Sequence, residues 1–427
     1  MTIYRCRVLD TPDDPFSGGE LRSHDDAGIA VEAGVIVDRG AFRTVTERHP
    51  DAEVVDLRDG VLLPGMVDTH VHYPQIRAIG GLGMPLLDWL DQCALPEECK
   101  LADAEYARTV AREFLTGLTA AGTTTALVFG SHFTDAVDAL FTEADRVGVR
   151  VTAGLVTSDR NLPEPLLSTP ARSYDEGRKL AERWHGHRRL RYAVTPRFSY
   201  STSPGMLESG AALAADVPGL WFTSHINENP AEIAAVIEQF PGSANYLDTY
   251  HRHGLIHERA VLAHNAHPTD SELALMASTG ASVAHCPTSN SALASGSFPL
   301  RRHLDHGVTV ALGTDVGAGS GFSLFKEGLQ AYFMQQLLQG DGVPLTAAHL
   351  LHLATRAGAT ALGIDEVGDL SVGRQFDAIL LRPTAGHPLD VGLRHAESAE
   401  NALAKIFSLA TPADVARVWI GGDEVAA

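Results

Sequence analysis

The stretch Val61-Leu-Leu-Pro-Gly-Met-Val-Asp-Thr-His-Val-His-Tyr-Pro-Gln75 decides the fold. A hydrophobic, strand-like run ends there in His70 and His72. Alternate side chains of a strand share a face, so two histidines separated only by Val71 project to one side and can grip one metal ion. His-x-His alone is a weak signal, and its plain reading is a pair of exposed or hydrogen-bonded histidines. The setting strengthens the metal reading, because further His and Asp residues close other such runs downstream.

Working outward, strand-like runs alternate with amphipathic helical stretches. The runs are 66–71, 123–129, 149–156, 190–195, 220–225, 260–264, 281–285 and 308–315, and helical patterns cover 102–120, 135–147, 230–240 and 270–278. That alternation predicts an α/β chain folded as a (β/α)8 TIM barrel. Before Pro64 the pattern is of short strands: 29–32 and 35–37 flank the turn signal Ala33-Gly34, and 53–57 precedes Asp59-Gly60. After Leu370 strand character returns at 377–381 and 415–420, separated by Pro and Gly turns. Both termini therefore build one small composite β-sandwich domain, 1–63 with 371–427, around a barrel at 64–370. The stretch 322–340 reads as a buried barrel helix or a dimer face.

Composition sets outer bounds. The 427 residues are 44% hydrophobic and 20% charged, an ordinary globular balance, and can bury a large core. A formal net charge of -20 argues against a nucleic-acid surface, which needs clustered Lys and Arg. No run approaches a membrane span and the start has no apolar signal core, so the expectation is a cytoplasmic protein. Cys6, Cys93, Cys99 and Cys286 are too scattered for a disulfide framework or a structural zinc knot, and free thiols are expected.

The active face of such a barrel lies at the C-terminal strand ends. Those ends carry His70 and His72, then His225, His264, His285 and Asp315. Each alone is most simply a core or loop residue; their convergence on one face is what favours a site. Three imidazoles and one carboxylate among them suit Zn²⁺ with an open coordination position.

The run Pro64-Gly-Met-Val-Asp-Thr-His-Val-His72 resembles the first metal motif of the amidohydrolase superfamily. Its extension Tyr73-Pro-Gln75 is similar to that of the guanine deaminases within it. So are Thr195-Pro-Arg-Phe198, Ser224-His-Ile-Asn-Glu228, Ala284-His-Cys-Pro-Thr-Ser-Asn290 and Leu312-Gly-Thr-Asp-Val316, so the resemblance covers nearly the whole chain. It implies hydrolytic deamination of guanine to xanthine and ammonia. It also implies one Zn²⁺ per subunit, with Fe²⁺ able to take its place, held by His70, His72, His225 and Asp315. Glu228 would be the proton shuttle, His264 and Asp315 would orient the water, and Gln75, Arg197 and Phe198 would hold the purine alongside His72 and His225. A homodimer is implied, with no nucleic-acid or membrane partner. Two-metal relatives use a carboxylated lysine on strand four, where this chain has Thr195 and Pro196.

Plainer readings stand beside these. Glu228 would serve as a capping partner for the helix opening at Pro230, Arg197 as a strand-end ion pair, and Trp89 as core. His285 and Cys286 read as supports. Other reactions left open are deamination or dechlorination of cytosine, a pterin or an s-triazine, and, remotely, a non-catalytic scaffold.

Overall fold

The computed structural model describes residues 1–425. Eight parallel strands, Met66–His72, Thr123–Phe129, Arg150–Gly154, Leu190–Pro196, Trp221–Ile226, Ala260–His264, Ser282–His285 and Val310–Leu312, follow one another around a barrel in chain order. The first two are buried at every residue, as strands enclosed by helices on one side and the barrel interior on the other must be. Helices follow the expected bounds closely. In Ala104–Ala120, residues Ala107, Val110, Ala111, Phe114, Leu115 and Leu118 recur at helical spacing on the buried face, and Asp103 caps the first turn. Each large side chain so buried contributes about 1.5–3 kcal/mol.

The seam between first and eighth strands closes the barrel. Asp315 N–H donates to the His70 carbonyl at 2.8 Å, His72 N–H to that of Val316 at 2.9 Å, and the Thr69 hydroxyl to that of Leu312 at 2.8 Å. Asp68 clamps the same seam, accepting from Thr314 N at 3.0 Å, Thr314 Oγ1 at 2.5 Å and His70 N at 3.2 Å. The His-x-His pair is thereby held beside Asp315, although the chain separates them by almost the whole barrel.

Both termini join one seven-stranded sheet, ordered Asp423–Val425, Val415–Ile420, Ala378–Leu381, Glu53–Pro64, Thr2–Asp10, Arg22–Glu32, Val35–Ala41. Ala33 and Gly34 have φ of 48° and 81°, the left-handed pair of a tight hairpin turn. The sheet curls back on itself through a Val35–Gln375 bridge. It encloses its own core, where Tyr4 stacks on Phe376 at 4.6 Å and meets Trp419 edge-on at 5.6 Å. The sandwich is thus one continuous sheet folded over.

Two local expectations are corrected. The strand at 53–57 does not stop before Asp59-Gly60 but runs on to Pro64. Gly60 is there for close approach: a Cβ would lie 2.5 Å from the Leu381 carbonyl oxygen. A register shift between Arg5 and Arg7 absorbs the extra residues as a bulge. Between 381 and 415 the chain forms helices Pro388–Arg394 and Ala399–Leu409, not turns alone. Leu403, Ile406 and Phe407 bury a helical face, and Phe407 meets Phe325 edge-on at 5.4 Å.

Phe325 belongs to the Leu324–Leu337 helix, which packs that face inward and leaves Phe333 and Leu337 48% and 72% exposed. The four cysteines are free thiols. Among the described residues no helix is long and apolar enough to cross a membrane.

Candidate active site and metal centre

Five ligand-type side chains converge where the strands end. His72 Nε2 lies 3.1 Å from His70 Nε2, 3.1 Å from His225 Nε2 and 3.1 Å from Asp315 Oδ1, and His70 Nε2 is 3.2 Å from the same oxygen. His264 stands slightly outside, its Nε2 3.8 Å from Asp315 Oδ2 and 3.5 Å from Glu228 Oε2. All are buried. One imidazole nitrogen carries at most one hydrogen, so hydrogen bonding alone does not satisfy the three atoms facing His72 Nε2. Ligand atoms about 2.0 Å from a tetrahedral ion lie about 3.3 Å apart, close to the observed spacings. The donor set therefore fits a divalent cation. His70, His225, His264 and Asp315 also form a group whose ligand atoms all lie within 4.8 Å of one another.

Neighbours prepare these groups for that role. His225 Nδ1 donates to the Arg197 carbonyl at 2.6 Å, fixing the tautomer so that Nε2 presents a lone pair to the cluster. His264 Nδ1 is 3.0 Å from Asn290 Oδ1, which orients its ring in the same way. Burial pushes the His70 imidazole down to about 4 and His225 well below its ordinary range, so both are neutral, the ligating form. Burial works to raise Asp315, but the bonds from His70 and His72 outweigh it and keep a carboxylate. Phe129 covers the cluster, its ring centre 4.8 Å from that of His72 and 4.5 Å from that of His225.

Backbone strain gathers at the same place: Asn227, His264, Asn265 and Asp315 have φ of 48°, 72°, 47° and 49°. Left-handed non-glycine residues cost about 1–3 kcal/mol each and persist where surrounding structure over-determines them. Gly313 lets the eighth strand press against the first, since a Cβ there would lie 2.8 Å from His70 Cβ.

A small cavity opens on the cluster. His72, His225, His264, Asp315 and Glu228 form its floor, and Gln75, Arg197, Phe198, Trp89 and Leu293 line its sides. Trp89 also sits in a small apolar cluster with Leu86, Leu90 and Phe198, so the core reading and the pocket reading both hold for it. The capping reading of Glu228 does not: Asn229 caps the helix at Pro230, accepting from Ala231 N at 3.0 Å, and Glu232 completes the box. Glu228 instead takes a 3.3 Å bond from Ser295 Oγ, and burial followed by the Asp315 charge pushes its carboxyl up to about 8. His285 stands apart from the cavity, stacked on Phe298 at 4.1 Å.

Arg197 has the ion pair weighed for it, to Glu98, and also faces the cavity. Sequence reasoning missed Glu98. It lies in the 86–99 segment over the barrel mouth, a run of short helices with one π turn at Leu90–Ala94. Apolar residues there face the cavity and each other, so neither period 2 nor period 3.6 marks it. Phe129 was also missed as a functional residue, being the unremarkable last member of an apolar strand.

The family model for the amidohydrolase family matches residues 61–425. A Deinococcus radiodurans protein named probable guanine deaminase is 59% identical, with 100% of this chain and 98% of that protein covered. Of solved structures, Escherichia coli guanine deaminase superposes with a TM-score of 0.96 at 35% identity, covering 100% of this chain and 99% of that one. Guanine deaminase from C. acetobutylicum, with guanine bound in its active site, gives a TM-score of 0.92 at 25% identity, both chains covered completely at 100%.

Proposed function

The chain belongs to the amidohydrolase family, and from that premise we propose that it deaminates guanine hydrolytically, yielding xanthine and ammonia. One observation supports this most: Gln75 and Arg197 line the same cavity as His72, His225, His264, Asp315 and Glu228. His70, His72, His225 and Asp315 would hold one Zn²⁺ per subunit, which would supply the Lewis acidity that makes a water nucleophilic near neutral pH.

The remaining steps belong to the side chains. Gln75 and Arg197 donate to O6 of guanine, an acceptor where adenine presents an amine, and Phe198 packs on the ring. Asp315 Oδ2, 3.8 Å from His264 Nε2, is the oxygen turned away from His70 and His72, and takes the proton of the attacking water. Glu228 delivers a proton to the ring nitrogen beside C2, takes one from the new hydroxyl at C2 and passes it to the departing amine, so that the C–N bond breaks with ammonia as leaving group, and the proton held by Asp315 then restores the Glu228 carboxyl. A carboxyl raised to about 8 holds a proton to give, and a cation beside it draws that value back toward neutrality. The same reading takes the protein as a cytoplasmic homodimer, with 1–63 and 371–427 as one domain and 64–370 as the other.

The test is conversion of guanine by purified, zinc-loaded protein, followed by absorbance with ammonia assayed in parallel. Adenine, cytosine and ammeline serve as comparison substrates. One xanthine and one ammonia per guanine is the expected result. Turnover of another compound with none of guanine would keep the metal centre and overturn the reading of the pocket.

A further inference from the structure

Glu98 has no part in the steps above, yet three polar side chains converge on it. It lies in the Leu95–Cys99 helix behind the cavity wall, and its side chain and that of Arg197 are each 3% exposed. Gln75 Nε2 donates to its Oε1 at 2.8 Å and Arg197 Nη1 to its Oε2 at 2.6 Å. His132 Nδ1 stands 3.5 Å from the second oxygen. Burial alone would raise this carboxyl, but the Arg197 charge and His132 outweigh it and keep it ionised.

One carboxylate thus grips two side chains from segments that follow different barrel strands. The two ends of a glutamine amide are nearly alike in shape, so its orientation comes from its partners. Here Glu98 accepts at the amine end, while Gly317 N–H donates to Gln75 Oε1 at 3.3 Å. An arginine fork has five N–H groups and large rotamer freedom, and anchoring one nitrogen restricts where the others point. The Arg197 main chain is fixed as well, its carbonyl holding His225 and its N–H donating to the Thr157 carbonyl at 3.1 Å.

We propose that Glu98 is the positioning residue for purine selection. By gripping Gln75 and Arg197 it turns their remaining N–H groups toward a ring oxygen. It thereby sets the preference for a 2-aminopurine carrying a 6-oxo group over one without it. This rests on the guanine reading. The Glu98–Arg197 pairing also cancels the arginine charge, so the pocket edge suits a neutral carbonyl.

The test compares zinc-loaded wild type and Glu98→Gln on guanine and on 2-aminopurine, which present the same amine at C2. An amide in place of the carboxylate accepts on one side and turns a donor toward its neighbour on the other. The kcat/KM ratio of guanine to 2-aminopurine is expected to fall at least tenfold, about the effect of one charge-assisted hydrogen bond. Most of the loss should lie in KM for guanine, with zinc content unchanged. Binding of hypoxanthine relative to purine, read by tryptophan fluorescence, should fall in step.

A merely structural ion pair would depress both substrates alike, so an unchanged ratio in folded Glu98→Gln overturns the proposal however far both rates drop. Should that variant not fold, Glu98→Asp, which keeps the charge but withdraws the oxygens by about 1.5 Å, carries the same comparison with the same expected direction. If wild type does not turn over guanine, the functional reading falls. The hypoxanthine-to-purine binding ratio then decides the role of Glu98 by itself.

Discussion

Glu228→Gln separates a catalytic role from a structural one with little ambiguity. The helix after it loses no cap, because Asn229 and Glu232 supply that box. The amide oxygen retains the bond from Ser295 Oγ, now 3.3 Å long, and no ion pair to Lys or Arg is broken. Replacing one buried polar group by a near-isostere that keeps its partner should change stability by no more than about 1 kcal/mol. Bound zinc should be retained, since Glu228 is the outer neighbour of His264 and not one of the four proposed ligands. Activity should respond very differently. General acid–base catalysis contributes about 10²–10⁴ in rate, equivalent to about 3–5 kcal/mol of barrier at 1.36 kcal/mol per tenfold. An amide cannot deliver a proton to the ring nitrogen and then to the amine, so kcat should fall by at least the upper end of that range while KM changes little. The assay is guanine consumption by absorbance, with zinc measured on the same sample and Tm by calorimetry. A variant with unchanged zinc and Tm that turns over within tenfold of wild type would refute the assignment.

Gly313→Ala should weaken metal binding by about 10–100-fold, the usual cost of disturbing what orients a ligand, because its Cβ would meet His70 Cβ at 2.8 Å. Competition with a chelator measures this, and unaltered affinity would show that the seam yields elsewhere. Burial pushes Glu327 up to about 8 even though Thr288 donates two bonds to it. Its ordinary value is about 4.3, so across that window the native state holds more protons than the unfolded chain, and its contribution to stability falls as pH rises. Glu327→Gln should therefore flatten the decline of Tm between about pH 4.3 and pH 8, and a Tm profile parallel to that of wild type would contradict this.

The barrel was legible because it is written locally. Apolar runs of strand length alternating with helical periodicity specify β/α units, and the strand-end positions of His70, His72, His225, His264 and Asp315 follow once the units are counted. The hairpin at Ala33-Gly34 was legible for a similar reason, Gly34 being suited to the positive φ that the tight turn requires. Asp59-Gly60 carried an equally good turn signal and is strand, because a carbonyl from Leu381, more than three hundred residues away, packs where a side chain would be. Local propensity offers a conformation; a distant neighbour takes or refuses it.

The same division runs through the site. Residue types and spacing by themselves pointed to a metal-binding set at one barrel face, and the resemblance to the amidohydrolase superfamily added Glu228, Gln75 and Arg197 beside it. Only the tertiary structure decided how those groups are held: that the Arg197 carbonyl fixes the tautomer of His225, that Asn229 leaves Glu228 free of capping, and that Glu98 binds the Gln75 and Arg197 side chains together. Hydrogen-bond partners are chosen by proximity in space, and residues 75, 98, 132 and 197 become neighbours only when the barrel closes and the segment over its mouth folds down.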